Sequence, residues 1–232
     1  MKYLNQLFTC IILITVMNFS SCKKVTIETP GMTALSIGNF VVGGNLVKQG
    51  SYPSFFFNNF DNAPAGLITG ENDLYIWPVG DSLHPYYTQP KFVCNANEVY
   101  TLFLCGPKTA PEGFIVKENI PYRTDSTCGI RFINLSPNST PLNVTLSTSN
   151  TVNEVSNLAY KQYTEFKSYP ALYNTTYTFQ IRDATTQAPA APRASFSLTA
   201  VSVPRFANIT LVIRGMVGTS PALGVTRMNN DR

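Results

Sequence analysis

Tyr100-Thr101-Leu102-Phe103-Leu104-Cys105-Gly106 and Ile209-Thr210-Leu211-Val212-Ile213-Arg214-Gly215 are one pattern written twice. Each is a run of branched and aromatic residues closed by a glycine, which reads as a buried strand ending in a turn. The match continues outward. Phe114-Ile115-Val116 answers Leu223-Gly224-Val225 downstream, and Leu74-Tyr75-Ile76-Trp77 answers Phe179-Gln180-Ile181-Arg182 upstream. Ile37-Gly38-Asn39 answers Phe132-Ile133-Asn134. The copies lie about 100 residues apart, and each holds six or seven strand signals, the size and strand count of an immunoglobulin-like sandwich. The expected fold is all-β: two tandem immunoglobulin-like β-sandwich domains.

The strand signals are short apolar or alternating runs between Pro, Gly and Asn. In the first half they cover residues 34–42, 52–57, 73–77, 91–94, 100–105 and 113–118. In the second they cover 129–134, 142–147, 164–166, 176–182, 193–200, 208–214 and 222–228. Only residues 153–160 hint at a helical turn, without sustaining a helical period. The expected domains are residues 33–120 and 128–232, joined by a polar connection around Pro121.

Composition agrees. The chain has 232 residues, with 16 Pro and 14 Gly, and only 13% are charged against 44% apolar. That balance excludes a disordered chain and a long helical array. The net charge of +4 is spread thinly and forms no basic stripe, so nucleic acid is not an expected partner.

The first 21 residues read as a lipoprotein signal peptide, with Lys2 as the positive region and an apolar stretch over residues 7–19. That stretch is short for a membrane span, which needs about 20 residues. Phe19-Ser20-Ser21-Cys22 resembles a bacterial lipobox, with Phe in place of the usual Leu. The resemblance implies cleavage before Cys22 and its acylation, palmitate included. Residues 22–32 are then the lipidated cysteine and a tether, and the Ser21-Cys22-Lys23-Lys24 start resembles lipoproteins of the Bacteroidota. The implied location is the outer membrane, held by the lipid anchor and facing the periplasm or the cell surface.

Cys128-Gly129-Ile130-Arg131-Phe132-Ile133-Asn134-Leu135-Ser136-Pro137, then Leu142-Asn143-Val144, resembles the opening of a lipoprotein domain family of unknown function, DUF4397-like. Tyr177-Thr178-Phe179-Gln180-Ile181-Arg182 and Ile209-Thr210-Leu211-Val212-Ile213 match its later strands. The second half carries nearly the whole pattern, and the first half reads as a diverged copy. The resemblance implies a β-sandwich on an envelope lipoprotein and brings no catalytic residues.

Candidate chemistry is sparse. His84 is the only histidine and lies in a turn-rich loop, with no Gly-x-Ser-x-Gly elbow anywhere to present a nucleophile. Glu71, Asp73, Asp81, Glu112 and Glu118 read as turn or strand-end residues rather than a paired-carboxylate site. No spacing suits a metal or a cofactor, and neither is expected. Three cysteines remain in the body, Cys94, Cys105 and Cys128. One pair at most bridges, either Cys94 with Cys105 across a hairpin turn at 95–97 or Cys105 with Cys128. Three unpaired thiols is the equal alternative.

Aromatic residues crowd the first half, and exposed rings stack on sugars and anchor interfaces. Trp77, Tyr86 and Tyr87 are the candidate binding platform. Asp81-Ser82-Leu83 and Asp125-Ser126-Thr127 resemble O-glycosylation sites, with Ser82 and Ser126 as acceptors. The expected function is non-catalytic: a membrane-anchored binding, adhesion or spacer module for a glycan or an envelope protein. The alternatives are an accessory glycan-degrading enzyme and a purely structural spacer.

Overall fold

A computed structural model describes residues 30–50, 56–186 and 191–230. The leader, Cys22, the tether through residue 29, Tyr52 and Phe55 lie outside the described residues. Gly31–Arg232 forms one compact unit. Among the described residues it is all-β, with sixteen strands and no helix.

The first half makes two sheets. One has β1 (Met32–Asn39), β4 (Asp61–Ile68), β7 (Val99–Cys105) and β8 (Glu112–Lys117) in the order β4-β1-β7-β8. The other has β2 (Val47–Gln49), β3 (Phe56–Phe57), β5 (Gly70–Pro78) and β6 (Tyr87–Cys94) in the order β3-β2-β5-β6. The second half makes two more. β9 (Thr127–Asn134), β12 (Lys167–Pro170), β15 (Ala207–Arg214) and β16 (Gly224–Asn229) run in the order β12-β9-β15-β16. β10 (Leu142–Leu146), β11 (Ser149–Leu158), β13 (Tyr177–Asp183) and β14 (Ala194–Leu198) run in the order β11-β10-β13-β14. The strand order is the same in both halves once eight is added to each label. The register agrees too: β1 lies parallel to β7 with Ile37 beside Leu102, and β9 lies parallel to β15 with Phe132 beside Leu211.

Each half closes a sandwich over its own core. Leu35, Ile37, Leu102 and Leu104 of one sheet meet Val47, Leu74, Ile76 and Phe92 of the other. In the second half Ile130, Phe132, Ile209 and Leu211 meet Leu142, Val144, Phe179 and Ile181. The T-shaped contact of Phe132 with Phe179, centroids 5.1 Å apart, spans the two sheets.

A third apolar cluster joins the halves. Phe40, Phe103, Cys105 and Val116 pack with Ile133, Leu135, Val212 and Met228. The β4-β1-β7-β8 and β12-β9-β15-β16 sheets therefore each bury both faces, one in a sandwich and one against each other. That is why β7, β9 and β15 are buried almost end to end, and why each carries apolar side chains on both faces rather than on one. At the edge of this layer Arg131 donates to both carboxylate oxygens of Glu118, at 2.7 and 2.6 Å. The two side chains are 4% and 0% exposed. Arg131 also donates to Thr210 Oγ1 at 2.8 Å and lies 4.6 Å from the Phe166 ring centroid. The connection after Glu118 is pinned as well: Arg123 donates to Asn208 Oδ1 at 2.7 Å, and Asn208 Nδ2 donates to the Pro121 carbonyl at 2.9 Å. Gly129 permits this approach, because a Cβ there would sit 2.2 Å from Arg123 Nη2 and 2.1 Å from Asn208 Oδ1.

Several local expectations are corrected. Residues 153–158 belong to strand β11, not to a helical turn. β11 is a polar edge strand with three register shifts against β10, so its pattern has no clean period of two. β4 holds Pro64 and Gly66 and gave no strand signal; as the edge strand beside β1 it tolerates the proline. Residues 95–97 do not turn a hairpin, because β6 and β7 lie in different sheets. Cys94 thus enters the first core and Cys105 the inter-half layer, and Cys94, Cys105 and Cys128 are all free and buried. Burial pushes the Cys105 and Cys128 thiols up to about 11. A thiol reagent at neutral pH is expected to leave all three unlabelled in the folded protein and to label them in denaturant. Labelling of any of them at the native rate of a free thiol would contradict this burial.

Candidate functional site

The strands of the β11-β10-β13-β14 sheet alternate. Leu142, Val144, Phe179 and Ile181 point into the core, which leaves Asn143, Thr145, Gln180 and Arg182 on the opposite face. The register sets Asn143 beside Arg182 and Thr145 beside Gln180. On the other side Thr145 pairs with Asn153 of β11. The outer face of this sheet is therefore a set of amides and hydroxyls around one guanidinium.

An outer sheet face is normally solvated, but this one is covered. β11 is bulged against β10, with Asn157 at a φ of 54°, and Asn150, Thr151, Asn153, Ser156 and Asn157 of β11 line the same cleft as the sheet face. Asparagine tolerates that left-handed conformation better than most residues. The Asn157 amide donates to Asn143 Oδ1 at 2.9 Å, and Asn143 Nδ2 donates to the Ala184 carbonyl at 3.4 Å. Arg182 Nη2 donates to Gln180 Oε1 at 2.7 Å. The result is a cleft of about 290 Å³ with Asn143, Thr145 and Arg182 in its lining. Those three residues are only 8%, 2% and 3% exposed. The Thr145 hydroxyl is buried and has no hydrogen-bond partner among the described residues. A buried hydroxyl left so costs about 1–3 kcal/mol.

The predicted aromatic platform does not assemble. Ile76 points into the first core, so Trp77 and Tyr75 face outward, with ring centroids 5.3 Å apart. Lys48 lies beside Trp77 on β2, its Nζ 5.7 Å from the ring centroid. Tyr86 is a core residue, 5% exposed, whose hydroxyl accepts from the Asn45 amide at 3.1 Å. Tyr87 pairs with Ile76 and shares its inward side. Its ring lies against Gly113, where a Cβ would come within 2.5 Å, and burial raises its hydroxyl pKa. Trp77 and the two tyrosines thus stand on opposite sides of one sheet. Sequence alternation alone did not reveal this, because Tyr86 and Tyr87 follow a loop that resets the phase.

Ser82 and Ser126 are both exposed. The Ser82 carbonyl accepts from the Tyr75 hydroxyl at 2.5 Å, and the Ser126 carbonyl accepts from the Ala171 amide at 3.0 Å. His84 sits exposed with Nδ1 2.9 Å from the Asp81 carboxylate, whose pKa this contact lowers. Three of the other candidate carboxylates are engaged structurally: Glu112 with Lys161, Glu118 with Arg131, and Asp73 accepting the Lys91 amide at 2.9 Å. No three His, Cys, Asp or Glu side chains gather as metal ligands among the described residues. No helix among them is long and apolar enough to cross a membrane.

Arg182, Thr145 and Asn143 were not singled out from the sequence, where they read as the solvent side of two strands. The available signal was the density of asparagine at 143, 150, 153 and 157 in a chain poor in charge.

The chain is thus an all-β protein of packed four-stranded sheets with a polar cleft on an outer face. Residues 128–232, the half that holds the cleft, match the family described as "Domain of unknown function (DUF4397)". No curated protein matches the chain.

Proposed function

We propose that the chain is a non-catalytic envelope lipoprotein, anchored in the outer membrane through acylated Cys22, whose body carries two copies of one immunoglobulin-like sandwich domain and binds a glycan or an envelope protein. The carrying observation is the covered polar cleft on the β11-β10-β13-β14 sheet, with a buried hydroxyl that finds no partner among the described residues. A face meant only for solvent has no reason to bury Asn143, Thr145 and Arg182. The anchor rests on the leader and the lipobox-like stretch ending at Cys22. Exposed Ser82 and Ser126 are the positions for O-linked sugar. The spacer reading has its own support in the apolar layer between the halves, which couples them into one compact unit.

Two measurements test this. The Cys22→Ser protein is expected to leave the detergent phase in which the wild type partitions, since acyl chains supply about 0.8 kcal/mol per buried CH₂. Unchanged partitioning would refute the anchor. The detergent-solubilised full chain, applied to a glycan array and to envelope extract, is expected to retain a defined ligand. Silence on both would leave the spacer as the better reading.

A further inference from the structure

We infer that the outer cleft of the β11-β10-β13-β14 sheet receives an acidic carbohydrate, a sugar ring bearing a carboxylate, with Arg182 facing the carboxylate and Thr145 and the asparagines meeting the hydroxyls. This deepens the binding-module reading and rests on it.

Size comes first. A cleft of about 290 Å³ lies at the small end of small-molecule sites, roughly 300–1,000 Å³. It suits one or two sugar rings better than a folded partner. Polarity comes second. Its lining is Asn, Thr and Ser with Arg182 and Ala184, and no aromatic or long aliphatic side chain is among the described lining residues. Such a surface gains little from an apolar guest. It favours one that presents donors and acceptors on every side, as a polyol does.

Charge comes third. Among the described lining residues Arg182 is the only charged one. Its side chain is covered, and an arginine stays protonated in a protein. Attraction for an anion rises as water is excluded, and the planar fork of guanidinium suits a carboxylate. No carboxylate is among the described lining residues, so nothing there repels one. Thr145 is the fourth point. Its hydroxyl is buried on β10, two residues from Asn143 and opposite Gln180, and has no partner among the described residues. A ligand hydroxyl would supply one.

The test is calorimetric titration of the full chain in detergent with trigalacturonate, an alginate trimer, a hyaluronan tetrasaccharide and sialyllactose. Each is paired with its methyl ester, which keeps the rings and removes the charge. At least one acid is expected to bind, more weakly as salt rises, and its ester is expected to bind about tenfold or more weakly. Arg182→Gln should remove that difference. Because Arg182 is buried and this variant is at risk of misfolding, Thr145→Val is the second probe. It should fold with an unchanged or higher Tm, since it removes an unpartnered hydroxyl, and yet bind the acid about threefold to tenfold more weakly. Equal binding of acid and ester, binding only of neutral glycans, preference for an acidic peptide, or a Thr145→Val protein with full affinity would each overturn the inference. Binding of neutral glycans alone would do so while sparing the binding-module reading. Silence of every probe and of the glycan array would defeat both.

Discussion

Glu118→Gln is expected to lower stability by about 3–5 kcal/mol, because it leaves the buried Arg131 cation without its counter-charge. The pair is bidentate, at 2.7 and 2.6 Å, and almost wholly covered. Arg131 cannot reach water without opening the layer between the halves. Its contacts with Thr210 and the Phe166 ring hold it in place but do not neutralise it. Arg131→Met should cost a similar amount, since it strands the Glu118 carboxylate. The double variant Glu118→Gln/Arg131→Met should cost much less than the two singles together, because both charges then leave the interior at once. Denaturant midpoints of the four proteins check the cycle. Additive losses would show that the pair is worth no more than a surface ion pair.

Phe103→Ala is expected to cost about 3–5 kcal/mol, the range for deleting a buried aromatic side chain. Phe103 is 1% exposed, stacks on Phe114 at 5.5 Å and meets Phe40 at 6.5 Å. It lies in the layer shared with Ile133, Leu135, Val212 and Met228. The loss should therefore appear in the stability of both halves, and the wild-type chain should unfold in one transition. A fragment of residues 128–232 has all the strands of one sandwich and is long enough to fold alone. Freed of the first half, it would expose four side chains that are now 0% exposed. Self-association of that fragment in sedimentation is the expected mark of this surface. A monomeric fragment as stable as the full chain, with a Phe103→Ala effect below about 1 kcal/mol, would show that the layer contributes little.

The sequence determined the strand content and the pairing of motifs between the halves. Ile37-Gly38-Asn39 and Phe132-Ile133-Asn134 occupy equivalent register positions beside β7 and β15. In β10 and β13 the period-two alternation of the sequence coincides with the inward set, because those strands have one apolar and one polar face. These are local signals, carried by side chains a few residues apart.

Tertiary structure decided the rest. Apolar residues on both faces of β7, β9 and β15 say that both faces are buried, but not against what; pairing the two sheets across the halves settles that. Tyr86 and Tyr87 fell on the core side because the loop before β6 sets their phase through the hydrogen bond from the Tyr86 amide to the Ile76 carbonyl, 2.8 Å. The short strand β2 and the edge strand β4 exist because partners from other segments supply their hydrogen bonds, not because their own residues favour extension. The cleft needed most of all. Arg182 is about 40 residues from Asn143, and only the β10–β13 register makes them neighbours. The bulged edge strand β11 and the turn at Ala184 and Thr186 complete the cleft around that face. Hydrophobic periodicity encodes which side of a strand is apolar. Which polar side chains meet, and whether water still reaches them, depends on contacts between distant segments.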